Sequence, residues 1–178
     1  RECLETGISP RCHLEDITRS DIYGFVIPFC LELMKLMEEY VKRFESLPEP
    51  LYRRIVTVGE ACIEGLVRIA GDSDKSEALR ASAMALLRDI GTEAPMETYI
   101  DLVSSAKEED ELAELAAESL CDFTDESMPA ELLKRYDHAP EYAQSLILDI
   151  LANFPLQEGV YELLEDKLRY HPEQRAYY

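Results

Sequence analysis

Apolar residues in this chain recur at intervals of three and four almost throughout, and no stretch of strict apolar-polar alternation bounded by hairpin turns interrupts them. The pattern predicts an all-α protein built from short helices. Ile22, Phe25, Phe29, Leu33, Leu36, Tyr40 and Phe44 form one stripe over roughly 21–45. Pro28 lies inside it, so either a short turn precedes a helix starting near Ile27 or the helix kinks there. Pro48 and Pro50 close that element and open a helix over about 51–70, ended by Gly71. Residues 1–19 lack the pattern and are expected to be irregular.

Beyond Gly71 the punctuation becomes regular. A helix is predicted over 74–91, opened by Asp74 and Glu77 in capping-box spacing and closed by Gly91; another over 109–123, opened by an acidic turn; a third over 140–154, between Pro140 and Pro155. Their apolar stripes coincide: Leu79, Ser82, Ala83, Leu86, Leu87, Ile90; Leu112, Leu115, Ala116, Ser119, Leu120, Phe123; Ala143, Leu146, Ile147, Ile150, Leu151, Phe154. The second set lies 33 residues after the first and the third 31 after the second. The intervening segments share the register, because Tyr99-Ile100, Leu132-Leu133 and Leu163-Leu164 each follow the stripe's last residue by nine and ten positions. Helix-turn-helix units repeating every 31–33 residues stack because no single unit can bury its own stripe.

The stretch from Asp72 to Gly91 resembles the HEAT-like repeat in the short form of bilin-lyase-type proteins: an acidic turn at Asp72 and Asp74, an apolar-Arg pair at Leu79-Arg80, Ala83 four residues on and Leu87 four after that. Asp110, Leu112, Ala116 and Leu120 follow the motif with Ala113 in place of the Arg, and the third unit carries Ala143-Gln144 there. The resemblance implies a right-handed α-α superhelix, a solenoid of stacked antiparallel helix pairs. On this reading residues 20–178 form one domain, with 20–71 a divergent N-terminal pair, 72–170 the regular repeats and 171–178 a tail. It also implies that the second helix of each unit lines a concave side. The direction opposite the stripe of 109–123 is taken by Glu111, Glu114, Glu118 and Asp122, and the equivalent positions nearby include Asp89, Tyr142 and Asp149.

Charge sharpens that surface. The 178 residues hold 37 acidic and 18 basic side chains, a formal net charge of −19. Such a chain is repelled by nucleic acid and by anionic membranes. Residues 101–131 contain eleven acids against Lys107 alone. Glu111, Glu114 and Glu118 repel one another at helical spacing, at a few tenths of a kcal/mol per pair. A solvated face accounts for such a run, and so does a recognition surface for a basic partner.

Catalytic chemistry has little to stand on. Paired carboxylates on an open ridge lack the enclosure that separates their pKa values. His13, His138 and His171 are isolated, and Cys12-His13 with Cys3 matches no standard zinc spacing. Seven glycines make no phosphate-cradling motif. Five cysteines without paired spacing point to reduced thiols and a cytoplasmic setting. Without a leader pattern or initiator Met, the chain is expected to come from a longer protein. The expected function is a non-catalytic protein-protein scaffold without cofactor or metal, binding a basic protein partner through Glu111, Glu114, Glu118, Asp122, Tyr142, Asp149 and Asp89. The alternatives are an acidic, immunity-type inhibitor of a cationic nuclease-like site, and a HEAT-like lyase or enzyme accessory subunit.

Overall fold

A computed structural model describes residues 21–170, and every regular element among them is helical. The expectations for 1–19, for the Cys3, Cys12 and His13 cluster, and for the 171–178 tail with His171 fall outside the described residues. A π-helical turn, Ile22–Val26, runs into α1, Ile27–Phe44, followed by α2 (Glu49–Val58) and α3 (Glu60–Gly71). Then come α4 (Glu77–Ile90), α5 (Met96–Ser105), α6 (Glu111–Cys121), α7 (Met128–Tyr136), α8 (Glu141–Leu151) and α9 (Val160–Tyr170).

Local chemistry sets these limits. Pro28 does not kink α1; it sits in the first turn, where a missing N–H costs nothing. The helix predicted over 51–70 is in fact two, broken at Gly59, whose φ of 60° and ψ of −118° favour a residue without Cβ. Gly91 closes α4 in the left-handed conformation, its N–H donating to the carbonyls of Arg88 and Leu87 at 2.9 and 3.1 Å. The capping box expected for Asp74 and Glu77 does not form. Ser76 is the N-cap without a side-chain bond, and Asp72 Oδ1 instead accepts from the Asp74 N–H at 3.0 Å. In α6 the acidic opening does cap the helix, since Asp110 Oδ1 accepts from the N–H groups of Leu112 and Ala113 at 3.0 and 3.1 Å.

The helices pack as pairs, α3 on α4, α5 on α6 and α7 on α8, in two layers. One layer runs α2, α4, α6, α8 and the other α3, α5, α7, with α1 covering the start of both. The three stripes meet the core in the same way. Their first, third, fourth and fifth positions are buried and their second and sixth are half-buried in every unit. Burying one such aliphatic side chain stabilises the fold by about 1.5–3 kcal/mol. Tyr99 and Ile100 of α5 and Leu132 of α7 are buried against them, and Leu133, Leu163 and Leu164 are half-buried. Tyr136 also lies in the core, whereas Tyr161 is 61% exposed.

Polar bonds fasten the layers. Arg80 Nε donates to the Ala70 carbonyl at the end of α3 at 2.9 Å, and Gln144 at the equivalent position donates to the Ala139 carbonyl at 3.0 Å. Between α7 and α5, Arg135 pairs with Glu97 and Asp101, each at 2.6 Å. No described helix is long and apolar enough to cross a membrane.

Candidate functional site

The cap at Asp110 fixes the phase of α6, so that once Leu112, Ala116, Ser119 and Leu120 turn inward, Glu111, Glu114 and Glu118 must turn outward. All three are exposed, as is Asp122 one residue past the helix end. Neighbouring α8 contributes half-buried Tyr142 and exposed Asp149, and α4 contributes exposed Asp89. Ala78, Ala81 and Ala85, at the equivalent positions along α4, are half-buried.

The residues of that face do not form one site. Glu114 and Tyr142 come together, the Tyr142 hydroxyl donating to Glu114 Oε1 at 2.6 Å, which pushes the phenol up to about 12. Glu118, Asp122 and Asp149 gather around Cys121, whose half-buried sulfur accepts from Asn153 Nδ2 at 3.4 Å. Burial first, and then Asp122, Asp149 and Glu118, hold that thiol above its ordinary range, so it is a poor nucleophile. Asp89 stands apart, bound by the Tyr52 hydroxyl of α2 at 2.7 Å. Glu111 points to solvent. None of the ion pairs among the described residues includes Glu111, Glu114, Glu118 or Asp122. Nor do the described residues hold a group of three His, Cys, Asp or Glu able to bind a metal ion. An open face of this kind can attract cations and hydrogen-bond donors, and encloses no reacting group.

A recess does lie beside it. A crevice of about 170 Å³ opens between the end of α4 and the end of α6, lined by Arg88, Thr92, Glu93, Tyr99, Ser119, Asp122 and Phe123 among others. Glu93 is held by Thr124, whose N–H and hydroxyl donate to one carboxylate oxygen at 2.8 and 2.9 Å. The Tyr99 ring stacks on Phe123 with centroids 6.1 Å apart. Its hydroxyl is buried with no partner, and burial raises its pKa against the opposing pull of Arg88. Sequence reasoning missed this crevice. The available signal was Ser119, a small residue at a stripe position filled by Leu86 and Ile150 in the flanking units.

Two curated proteins share a short stretch with this chain. The citrate (Re)-synthase of Clostridium kluyveri is 69% identical over 39 residues, which is 22% of this chain and 9% of that enzyme. The citrate (Re)-synthase of Syntrophus aciditrophicus is 75% identical over 36 residues, 20% of this chain and 6% of the enzyme. The matched stretch is thus about a fifth of this chain and less than a tenth of either relative. No family model and no solved structure matches.

These matches overturn two expectations. The reading of a non-catalytic scaffold, with its immunity-type alternative, gives way to a relation with an enzyme, and the expectation of a chain that is not enzymatic falls with it. The physical reason is plain. Spacing of apolar residues and net charge describe how a chain packs and repels, and both are blind to a stretch whose relation is carried by residue identity.

Proposed function

We propose that this chain carries part of an enzyme related to citrate (Re)-synthase, to which the described helical unit contributes a folded part. The carrying observation is the 69–75% identity over 36–39 residues, far above what a common amphipathic template supplies. The electrostatics bear on which surface would meet its substrate. Citrate is a tricarboxylate, and a site that forms it needs cations. Lys75, Arg80 and Lys107 line one open cleft, but five acids between Glu77 and Glu111 line it too. Lys75 there is paired with Glu38 at 3.0 Å, and Arg80 is occupied by the Ala70 carbonyl. A cytoplasmic setting accords with Cys30, Cys62 and Cys121 all being free thiols. A HEAT-like character for residues 77–164 accords with the burial pattern shared by the three units.

The test is fractionation of an extract of the source organism. Peptides of this sequence should travel with citrate (Re)-synthase activity through successive columns. Complete separation of the peptides from the activity overturns the relation to the enzyme. Citrate formation by the isolated chain would instead place the chemistry within it.

A further inference from the structure

The contact between α1 and α3 differs in chemistry from the other helix crossings. Cys30 and Met34 lie one turn apart on α1, 6% and 8% exposed, and Cys62 on α3 is 1% exposed. The Cys30 and Cys62 side chains line the same crevice at that crossing. Met34 is drawn into the same place by Gly65, three residues after Cys62 on α3. A Cβ built on Gly65 would come within 3.3 Å of Met34 Cγ and 3.5 Å of Met34 Sδ, so the thioether lies directly over the glycine. Three sulfurs from two helices therefore converge. They line one crevice of about 260 Å³ whose other walls include Leu31, Gly65 and Arg68.

Any one of these sulfur side chains would pass as a core residue, since Cys and Met pack as hydrophobes. Their convergence at the wall of a crevice is a donor set. It holds two thiols and a thioether; the one carboxylate lining the crevice, Glu64, is 89% exposed and paired with Arg68 at 2.9 Å, and soft sulfur ligands without harder partners favour Cu(I) over zinc or magnesium. Three donors also fall short of the closed tetrahedron that structural zinc requires.

We infer that Cys30, Cys62 and Met34 form a three-sulfur site for a soft monovalent cation, Cu(I). On binding, the two thiols each release a proton to solvent and form Cu–S bonds as thiolates, and the Met34 thioether donates a lone pair as third ligand. No electron is transferred, so the step needs no oxidant. This site is independent of the relation to citrate (Re)-synthase.

The probe is Cu(I) itself, delivered without oxygen from an excess of a weaker chelator to a chain in which Cys3, Cys12 and Cys121 are replaced by Ser. One Cu(I) per chain is expected, with a shell of three sulfurs in X-ray absorption. Cys30→Ser or Cys62→Ser should weaken binding about a hundredfold, and Met34→Leu about tenfold with the shell reduced to two sulfurs. In the unaltered chain, which needs no variant to fold, Cu(I) should slow alkylation of Cys30 and Cys62 relative to Cys121. Unchanged binding in the Cys30→Ser or Cys62→Ser chain, a shell containing nitrogen or oxygen, copper shared between two chains, or a Cys30–Cys62 disulfide without bound metal would each overturn the site.

Discussion

The first third of the described chain and the three units after it are built from the same helices, yet they treat apolar surface in opposite ways. From Glu77 to Leu164 the stripes sink into the core in a repeated pattern, and exposed large hydrophobics are confined to Leu156 and Tyr161. From Ile22 to Phe44 the chain leaves Tyr23, Phe25, Ile27, Leu31, Tyr40 and Phe44 at least 40% exposed, with Phe25 and Phe29 stacked at 5.8 Å. A helix between two like neighbours can bury its whole stripe, whereas α1, at the start of both layers, has α2, α3 and α4 as its partners among the described helices. Position in the stack, rather than composition, decides what is buried.

The sharpest way to break this comparison is to cut one buried residue from a repeat and one exposed residue from α1. Leu120→Ala, at a fully buried stripe position, should cost about 2–5 kcal/mol in denaturant unfolding, whereas Phe44→Ser should change stability by less than about 0.5 kcal/mol. Equal losses would show that the α1 surface is as tightly held as the core.

A smaller effect separates the turns of the two regions. Gly91 adopts ordinary left-handed geometry (φ 75°, ψ 42°), which other residues enter at a cost of about 1 kcal/mol. Gly59 has the same sign of φ with ψ of −118°, where a Cβ is less tolerated, so Gly59→Ala should cost about 2 kcal/mol against about 1 for Gly91→Ala. The reverse order in thermal unfolding would mean that the α2–α3 break is not fixed by its glycine.

The smallest effect lies in two matching phenols. Tyr52 reaches from α2 to Asp89 and Tyr142 from α8 to Glu114, and both are pushed up to about 12 from an ordinary value near 10. Burial leads for Tyr52 and the carboxylate bond leads for Tyr142. A raised folded pKa favours the protonated phenol, so this stabilisation is complete below about pH 10 and is lost as pH climbs toward 12. Tyr52→Phe should flatten the alkaline decline of stability more than Tyr142→Phe, because solvent screens the more open pair. A decline unaffected by either variant would remove both bonds from the account.

The repeats were legible because spacing alone dictates which faces can be buried, and 79–154 follows the stripe position by position. The break at Gly59 was not, for a physical reason: Ile55, Val58, Cys62, Leu66 and Ile69 are all buried and keep helical spacing straight through it. A periodicity that survives a break cannot report one. At the candidate site, the exposure of Glu111, Glu114 and Glu118 followed from the phase of α6. The Tyr142–Glu114 bond and the grouping of acids around Cys121 did not, because they depend on how α8 is set beside α6.

Ser119 is buried at 6%, and its hydroxyl donates to the Leu115 carbonyl of its own helix at 2.9 Å. Its polarity is therefore spent locally, and what it contributes to the stack is small size: it lines the crevice under Tyr99 where the flanking units place Leu86 and Ile150. Ser119 works as a spacer, and filling its place with an aliphatic side chain would close the recess that the middle unit leaves beneath Tyr99.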